Sequence, residues 1–328
     1  MEHINLKQLA KTLSQSDQYK VLEKYQKPEF YNVDDSSNKL IGVFLDTETT
    51  GLSYEADKVI ELGMVKFEYN QDGYIFRLLD EFNEYQDPGI PIPEVVTKLT
   101  GITDDTVRGQ HIDESKVVSY LSDVDIIIAH NARFDRTFLE TTFPSILPKA
   151  WGCSMYDIDW RNEGVLSHKL EYIAYRYGFF YEAHRAIADS LAGIHILAQS
   201  LFNSKQPVLK QLLASALSTR FKLWAINSPY ESKDALKTRG YKWNNNNGDK
   251  PKAWYIELTE DKVEEEINYL RSNIYKQHAI NIPIDIFDAY SRFSSKYEHL
   301  PNSKGYQDKL DWVKMLCSNK HPLSKPVK

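Results

Sequence analysis

A regular succession of apolar strand-length segments and helical patterns runs from residue 40 to residue 201 and leaves few folds open. Residues 40–45 are continuously apolar and have the length of a buried strand. Two further strand-like segments, 58–69 and 74–85, flank an Asp-Gly turn, which is typical of a β-hairpin. Helical patterns and short apolar strands follow in alternation. This order predicts a layered α/β domain.

Segments of different character lie on either side of this region. Residues 5–25 carry apolar residues at helical spacing and predict one or two short helices, followed by a polar linker at 34–38. Beyond residue 205, the pattern predicts a helix–hairpin–helix core at about 221–276 and then a polar tail. We therefore expect three parts: an N-terminal helical extension and linker (1–38), an α/β domain (39–204), and a smaller, basic α+β C-terminal module (205–328).

The balance of charged residues changes near residue 200, close to the expected boundary at 204/205. Residues 1–200 contain 19 Lys and Arg against 32 Asp and Glu, whereas residues 201–328 contain 21 against 14. The overall formal charge of −6 argues weakly against a nucleic-acid-binding protein. The difference between the two parts nevertheless suggests two tasks, one of which involves a polyanion.

Composition excludes several classes of protein. Two cysteines are too few for a disulfide framework, and no CxxC pair is present to hold zinc. The N-terminus lacks a basic segment followed by an apolar stretch, so no secretory signal is expected. No run of 18 apolar residues occurs, so no membrane span is expected either. The sequence predicts a soluble, cytoplasmic protein without a membrane partner.

Two carboxylates follow the first apolar strand. Asp46 and Glu48 point to the same side because strand side chains alternate, and they lie about 7 Å apart along the chain. Carboxylates at the end of a buried strand are costly unless a cation compensates them. Hard divalent ions such as Mg²⁺ and Mn²⁺ prefer oxygen ligands. Taken alone, the pair fits a strand end that turns into solvent equally well.

Two later segments place further acids beside buried elements. Residues 126–129 form an apolar strand that leads into a helix with Asp135 in its first turn. His184 comes just before a helix that carries Asp189 about one turn from its start. Each acid by itself is an ordinary helix cap or dipole partner. Three such segments in this order favour a joint site.

These segments resemble the motifs of the DEDDh group of 3′→5′ exonucleases in the DnaQ-like and RNase T-like superfamily. The group includes the proofreading epsilon subunit of DNA polymerase III, ribonuclease T and oligoribonuclease. The matching segments are DTETTGL at 46–52, TGIT at 100–103, AHNARFD at 129–135 and HRAIAD at 184–189. The resemblance covers roughly residues 39–203. It implies an RNase H-like α/β fold with a mixed central sheet, which fits the strand pattern.

The resemblance also implies a reaction and the residues that perform it. The reaction is two-metal hydrolysis of the terminal phosphodiester at single-stranded 3′ ends of DNA or RNA, with Mg²⁺ or Mn²⁺ and release of nucleoside 5′-monophosphates. Asp46, Glu48, Asp135 and Asp189 are the expected metal ligands; Asp46 would bridge both ions and Asp135 would act through ordered water. His184 is the expected general base, and its ordinary pKa near 6.5 suits that role near neutral pH.

Five residues beside these motifs are candidates for contact with the terminal nucleotide. Thr49, Thr50 and Leu52 follow the first strand, where backbone amides and an apolar wedge would hold the 3′ end; a simple turn is the alternative. Asn131 and Phe134 flank the second motif, and Phe134 fits a position in the core equally well.

The C-terminal module interleaves basic and aromatic residues, as surfaces that bind single-stranded nucleic acid do. The same aromatic residues would also suit the core of a small domain with solvated lysines. The segments LKTRGYKW at 236–243 and KAWY at 252–255 resemble a short module appended to some bacterial exonucleases of this type. The candidate nucleic-acid contacts are Lys237, Arg239, Lys242, Trp243, Lys252 and Trp254.

Two other classes of function stay open. A binding module on an inert nuclease fold usually lacks a motif acid, whereas all four acids and His184 are present here. A catalytically subordinate nucleic-acid-binding or assembly subunit of a replication or repair complex would contact its partner through residues 205–328. A replication or repair protein is therefore a candidate partner in addition to the nucleic acid.

Overall fold

The computed structural model describes residues 5–245, 251–294 and 306–318, and the chain forms two compact units. The first unit comprises Met1–Leu217 and Phe293–Lys296, and the second comprises Ser218–Arg292 and Tyr297–Lys328. The division falls 13 residues beyond the predicted boundary at 204/205, because a helix at Val208–Ala216 packs on the first unit's sheet. No helix in the described part of the chain is both long and apolar enough to cross a bilayer.

The first unit is built on a five-stranded mixed sheet. In chain order its elements are α1 (Leu6–Leu13), β1 (Glu23–Lys24), β2 (Leu40–Thr49), β3 (Val59–Tyr69), β4 (Ile75–Tyr85), α2 (Glu94–Thr100), α3 (Asp104–Val107), α4 (Glu114–Leu121), β5 (Ile126–Ala129), α5 (Ala132–Thr142), β6 (Ala150–Cys153), α6 (Leu170–Tyr177), β7 (Phe179–Phe180), α7 (Ala186–Leu197) and α8 (Val208–Ala216). The strand order is β4-β3-β2-β5-β6. The first three strands are antiparallel, and β5 is parallel to β2 and β6. This is the predicted RNase H-like arrangement.

The central strand β2 is covered on both faces because its side chains alternate. Val43 and Leu45 point into a core that α4 and α5 share. Phe44 points to the other face, toward α7, where a side-chain atom at Gly193 would lie 2.2 Å from the Phe44 ring. The helices on both faces hold β2 in place, so the side chains at its carboxyl end have fixed positions.

The N-terminal extension is helical only in α1. Of the one or two short helices predicted for residues 5–25, one forms, because β1 pairs in parallel with β7 and the chain there is extended. The amide of Tyr25 donates to the carbonyl of Phe180 at 2.8 Å. Tyr25 and Tyr31 both pack against the ring of His195, at 5.2 and 5.7 Å between ring centroids. These tertiary contacts outweigh the local helical pattern.

The second unit is an α+β module, as predicted, but its sheet is larger than a hairpin. Its elements are β8 (Arg220–Ala225), a 3-10 turn (Tyr230–Ser232), α9 (Lys233–Thr238), β9 (Lys242–Trp243), β10 (Trp254–Thr259), α10 (Glu260–Tyr269), a π-helical turn (Leu270–Tyr275), β11 (Ile284–Phe287) and α11 (Tyr306–Cys317). The strands form one antiparallel sheet in the order β11-β8-β10-β9. The predicted core lacked β8 and β11.

The segment predicted to be a polar tail contributes to the core of this unit. Val313 and Leu316 of α11 are buried with Phe221 and Leu223 of β8, and β11 extends the sheet. The apolar residues of the tail are widely spaced, so their common face was not evident without the tertiary structure. Residues 295–305 and 319–328 of the predicted tail lie outside the described residues.

Candidate active site

Three carboxylates meet at the carboxyl end of β2. Asp46 and Glu48 are two residues apart on this strand, so they share one side of it. Asp189 lies in the first turn of α7, which packs across β2 and β3. One oxygen from each of the three carboxylates lies within 4.8 Å of the others. The structure therefore brings together three of the four predicted metal ligands.

Asp135, the fourth predicted ligand, lies directly beside this cluster. Strand β5 runs parallel to β2, so α5 begins at the same edge of the sheet and carries Asp135 in its first turn. The side chain is 2% exposed. Its Oδ1 accepts hydrogen bonds from the amide and the hydroxyl of Thr47, both at 3.0 Å. These two bonds fix the orientation of the carboxylate toward β2.

The four carboxylates are difficult to ionise together. Burial, and then the charges of the other acids, raise the pKa of Asp46 well above its usual range and that of Glu48 to about 8. Burial raises the pKa of Asp135 to about 7, against the two bonds from Thr47 that lower it. Burial also raises the pKa of Asp189. An all-oxygen cluster with uncompensated charge fits a hard divalent cation, which would stabilise the ionised forms.

Neighbouring groups hold both oxygens of the Asp189 carboxylate. The hydroxyl of Tyr181 donates to Oδ1 at 2.8 Å, and the backbone amide of Arg185 donates to Oδ2 at 3.1 Å. Tyr181 was not predicted to be a site residue. Its position three residues before His184 is the only signal that the sequence gives for it.

His184 lies at the entrance to α7, next to this network. Its backbone adopts φ +63°, a left-handed conformation that is uncommon for a residue other than glycine. The side chain is 42% exposed, and its Nε2 lies 3.7 Å from Oε1 of Glu171. Access to solvent suits a group that takes up a proton.

The loop after β2 offers an apolar side chain rather than free hydroxyls. Leu52 is 85% exposed. The hydroxyl of Thr49 donates to the carbonyl of Gly51, and that of Thr50 donates to Asp57 at 3.0 Å. Both threonines are buried, so any contact that they make with a ligand would pass through the backbone. Leu52 is the side chain of the three that is available as the predicted wedge.

Asn131 and Phe134 lie at the start of α5. Asn131 precedes the helix in a left-handed conformation, with φ +79°. Phe134 is partly buried, and its ring centroid lies 4.8 Å from that of the buried Phe138. Phe134 therefore contributes to the core and still has an exposed part, so both interpretations from the sequence remain open.

The six candidate contacts in the second unit differ in exposure. The guanidinium of Arg239 binds Glu265 and Glu266 at 2.9 and 2.8 Å, and Trp254 packs against the core of the unit. By contrast, Trp243 is 51% exposed and meets Trp254 edge-on. Lys237, Lys242 and Lys252 are also exposed. Four of the six are thus accessible, and two are engaged within the unit.

The main segment of the first unit is similar to known exonucleases and to parts of DNA polymerases. Residues 43–197 match the family model described as an exonuclease of the RNase T type. The chain is 36% identical over 169 residues to the PolC-type DNA polymerase III of Lacticaseibacillus paracasei, covering 47% of this chain and 11% of that protein. It is 41% identical over 104 residues to the corresponding polymerase of Pediococcus pentosaceus, covering 31% of this chain and 7% of that protein.

Two solved exonuclease structures also match the chain, at lower sequence identity. Exonuclease X in complex with 5′-overhanging duplex DNA is 20% identical, with a TM-score of 0.37, over 52% of this chain and 99% of that one. Escherichia coli Exonuclease I in complex with a dA13 oligonucleotide is 15% identical, with a TM-score of 0.45, over 86% of this chain and 71% of that one. The chain spans about a tenth of the length of the curated relatives that it matches.

Proposed function

Because residues 43–197 match the family model of RNase T-type exonucleases, we propose that the protein is a metal-dependent 3′→5′ exonuclease of the DnaQ-like, RNase T-like family. It hydrolyses the terminal phosphodiester of DNA or RNA at a single-stranded 3′ end and releases nucleoside 5′-monophosphates. The observation that carries this proposal is the cluster of Asp46, Glu48 and Asp189 with Asp135 beside it. A cytoplasmic location, predicted from the sequence, completes the proposal.

The acids and His184 divide the chemistry between them. Two divalent cations, Mg²⁺ or Mn²⁺, held by Asp46, Glu48 and Asp189 with Asp135 beside them, would activate the attacking water and stabilise the leaving 3′ oxygen. His184 accepts the proton from the attacking water, and its ring lies 3.7 Å from Oε1 of Glu171. Asp135, held by Thr47, keeps the cluster's fourth charge in a fixed position.

The loop after β2 positions the 3′-terminal nucleotide. Leu52, which is exposed in the loop that follows Asp46 and Glu48 in sequence, packs against the terminal base. The turn at Thr49 and Thr50 is stabilised by its own hydrogen bonds, so it offers a rigid backbone surface to the sugar. Asn131 and the exposed part of Phe134 contact the same nucleotide from the start of α5.

A time course on 5′-labelled single-stranded DNA and RNA tests the reaction. We expect a ladder that shortens from the 3′ end with Mg²⁺ or Mn²⁺ and stops in EDTA. His184→Ala should lower the rate by roughly 10²–10⁴-fold, because general base catalysis contributes about that factor. His111→Ala, which changes an exposed histidine away from the motifs, should keep the wild-type rate. Equal rates for the two variants, or shortening from the 5′ end, would contradict the proposal.

The second unit contributes a contact surface for the single strand, formed by described residues in and next to α9, β9 and β10. Trp243, Lys242 and Lys252 combine an exposed ring with two cations, and Lys237 adds a third. Such surfaces bind bases by stacking and phosphates by charge, without reading sequence. Arg239 and Trp254 support this surface from within the unit rather than contacting the strand.

Trp243→Ala is expected to weaken binding of single-stranded DNA by roughly 5–150-fold, since stacking on one aromatic side chain contributes about 1–3 kcal/mol. Fluorescence anisotropy in EDTA, where no cleavage competes, would measure the Kd. Tyr230→Ala removes another exposed aromatic ring of the same unit and serves as the control. Unchanged binding by Trp243→Ala would assign this unit to another task.

An assembly role within a replication or repair complex is the alternative function. The PolC-type polymerase relatives support a replication or repair protein as partner, although this chain matches only a small part of them. If the wild-type protein degrades neither DNA nor RNA, this alternative takes precedence. The nucleic-acid-binding and partner contacts would then be sought in the second unit.

A further inference from the structure

A fifth carboxylate lies next to the acid cluster and is not part of it. Glu61 is directly opposite Glu48 in the β2–β3 pairing, and its side chain is fully buried. Burial of an ionised carboxylate is costly unless it is paired and hydrogen-bonded. Among the described residues, the group of acids whose oxygens approach one another includes Asp46, Glu48 and Asp189 but not Glu61.

Both oxygens of Glu61 are committed to the start of α7. Oε1 accepts from Nη2 of Arg185 at 3.1 Å, and Oε2 accepts from Nε of the same guanidinium at 3.3 Å. Oε2 also accepts from the backbone amide of Ala186 at 3.1 Å. The Arg185 guanidinium donates in addition to the hydroxyl of Tyr85. A two-point arginine–carboxylate contact of this kind fixes direction as well as distance.

These contacts act on the two residues that follow His184. The left-handed turn at His184 is a conformation that costs free energy and persists only where its surroundings impose it. Glu61 helps to hold this turn in place, because it binds both the Arg185 side chain and the Ala186 amide. Gly63, two residues further on β3, allows the first turn of α7 to lie directly against the strand.

We propose that Glu61 is a positioning residue for the general base rather than a metal ligand. Through Arg185 and the Ala186 amide it fixes the turn that presents His184 to the cluster. The Arg185 charge compensates Glu61, which leaves the cluster with four carboxylates. This inference rests on the proposed role of His184 as the base.

Glu61→Gln tests the proposal because it keeps the size of the side chain and removes the charge that holds Arg185. We expect kcat to fall about 10–100-fold with KM changed by less than about threefold, a part of the 10²–10⁴-fold that general base catalysis supplies. In a His184→Ala background, Glu61→Gln should cause no further loss, because both changes remove the same contribution. An equal loss in both backgrounds would overturn the proposal.

Titration with Mn²⁺ alone distinguishes a carboxylate that binds the metal from one that positions the general base. By calorimetry, Glu61→Gln should bind Mn²⁺ within about twofold of the wild-type Kd, whereas Glu48→Gln should bind it at least about tenfold more weakly. A Glu61→Gln protein that binds Mn²⁺ as weakly as Glu48→Gln would make Glu61 a ligand and refute the inference. The matched control is Glu68→Gln, which breaks another arginine–glutamate pair on β3, with Arg77.

Two further measurements keep the inference testable if a variant does not fold or the protein proves inactive. Arg185→Lys changes the partly exposed partner in the same contact and removes its two-point geometry. It should therefore lower kcat as Glu61→Gln does, and it should cause no further loss in a His184→Ala background. The NMR signal of the His184 ring, assigned by its loss in His184→Ala, should shift in Glu61→Gln and not in Glu68→Gln. An unshifted signal would overturn the positioning role even if the protein has no nuclease activity.

Discussion

Asp46→Asn is expected to abolish degradation of DNA and RNA, with kcat lowered by about 10³-fold or more. Asp46 is one of the three acids whose carboxylate oxygens lie within 4.8 Å of one another, and it would hold a cation there. A metal ion contributes several kcal/mol of stabilisation to such a transition state, and each 1.36 kcal/mol is a factor of ten in rate. Asp123→Asn, which removes a carboxylate paired with Lys66 outside the cluster, is the control and should retain full activity.

The same change is expected to stabilise the metal-free protein at high pH. Because the folded state raises the pKa of these acids, it holds protons that the unfolded state releases, so stability falls as the pH rises from about 4 toward the raised values. The substituted asparagine cannot ionise, so in EDTA at pH 8 the variant should melt a few degrees above wild type, and at pH 5 the two should nearly coincide. About 1 kcal/mol corresponds to roughly 2–4 °C for a domain of this size.

Thermal melts with and without Mg²⁺ complete this test. At pH 8 the ion should raise the Tm of the wild-type protein, because it compensates the repelling carboxylates, and it should raise that of Asp46→Asn much less. A wild-type rate of cleavage in the variant would remove Asp46 from the site. An equal Tm increase in both proteins would place the cation elsewhere.

Gly63→Ala is expected to destabilise the first unit by about 3 kcal/mol, a decrease in Tm of roughly 6–12 °C. A side-chain carbon at this position would lie 2.4 Å from the backbone carbonyl carbon of Ala186 and 2.5 Å from the amide nitrogen of Ile187. Both atoms belong to the first turn of α7, which cannot move away without carrying Asp189 with it. Nuclease activity should therefore fall together with stability.

Gly89→Ala separates the effect of space from that of backbone conformation. Gly89 has φ +68° and open space around it, so alanine there incurs only the cost of a left-handed conformation, about 1 kcal/mol. Differential scanning calorimetry of the two variants would compare the losses. A Gly63→Ala protein with the Tm of wild type would show that α7 is not pressed against β3.

The sequence predicts the sheet from local patterns, and its resemblance to the exonuclease motifs predicts which acids form the cluster. Strand alternation places Asp46 and Glu48 on one side of β2, and the helix starts place Asp135 and Asp189 near its end. The carboxyl ends of β2 and β5 meet because the two strands are parallel neighbours. Local patterns sufficed for the α/β arrangement, whereas the grouping of the four acids was implied by the resemblance of their motifs.

The groups that support the cluster could not be predicted in this way. Glu61 lies within the apolar first half of β3, an unusual place for an acid, but its partner Arg185 is 124 positions further along the chain. The β1–β7 pairing likewise joins segments more than 150 residues apart, so the helical spacing before Pro28 was misleading. Strands β8 and β11 acquire their role only from each other and from β10. Long-range pairing leaves little trace in local periodicity.

The acids collected at the end of β2 also couple two binding events. Nucleic acid carries a negative charge on every phosphate, so ionised carboxylates at this position would repel the group that is to be cleaved. Divalent cations held there would remove this repulsion. We therefore expect a divalent ion to increase the affinity of the protein for a strand and, by linkage, a bound strand to increase its affinity for the ion.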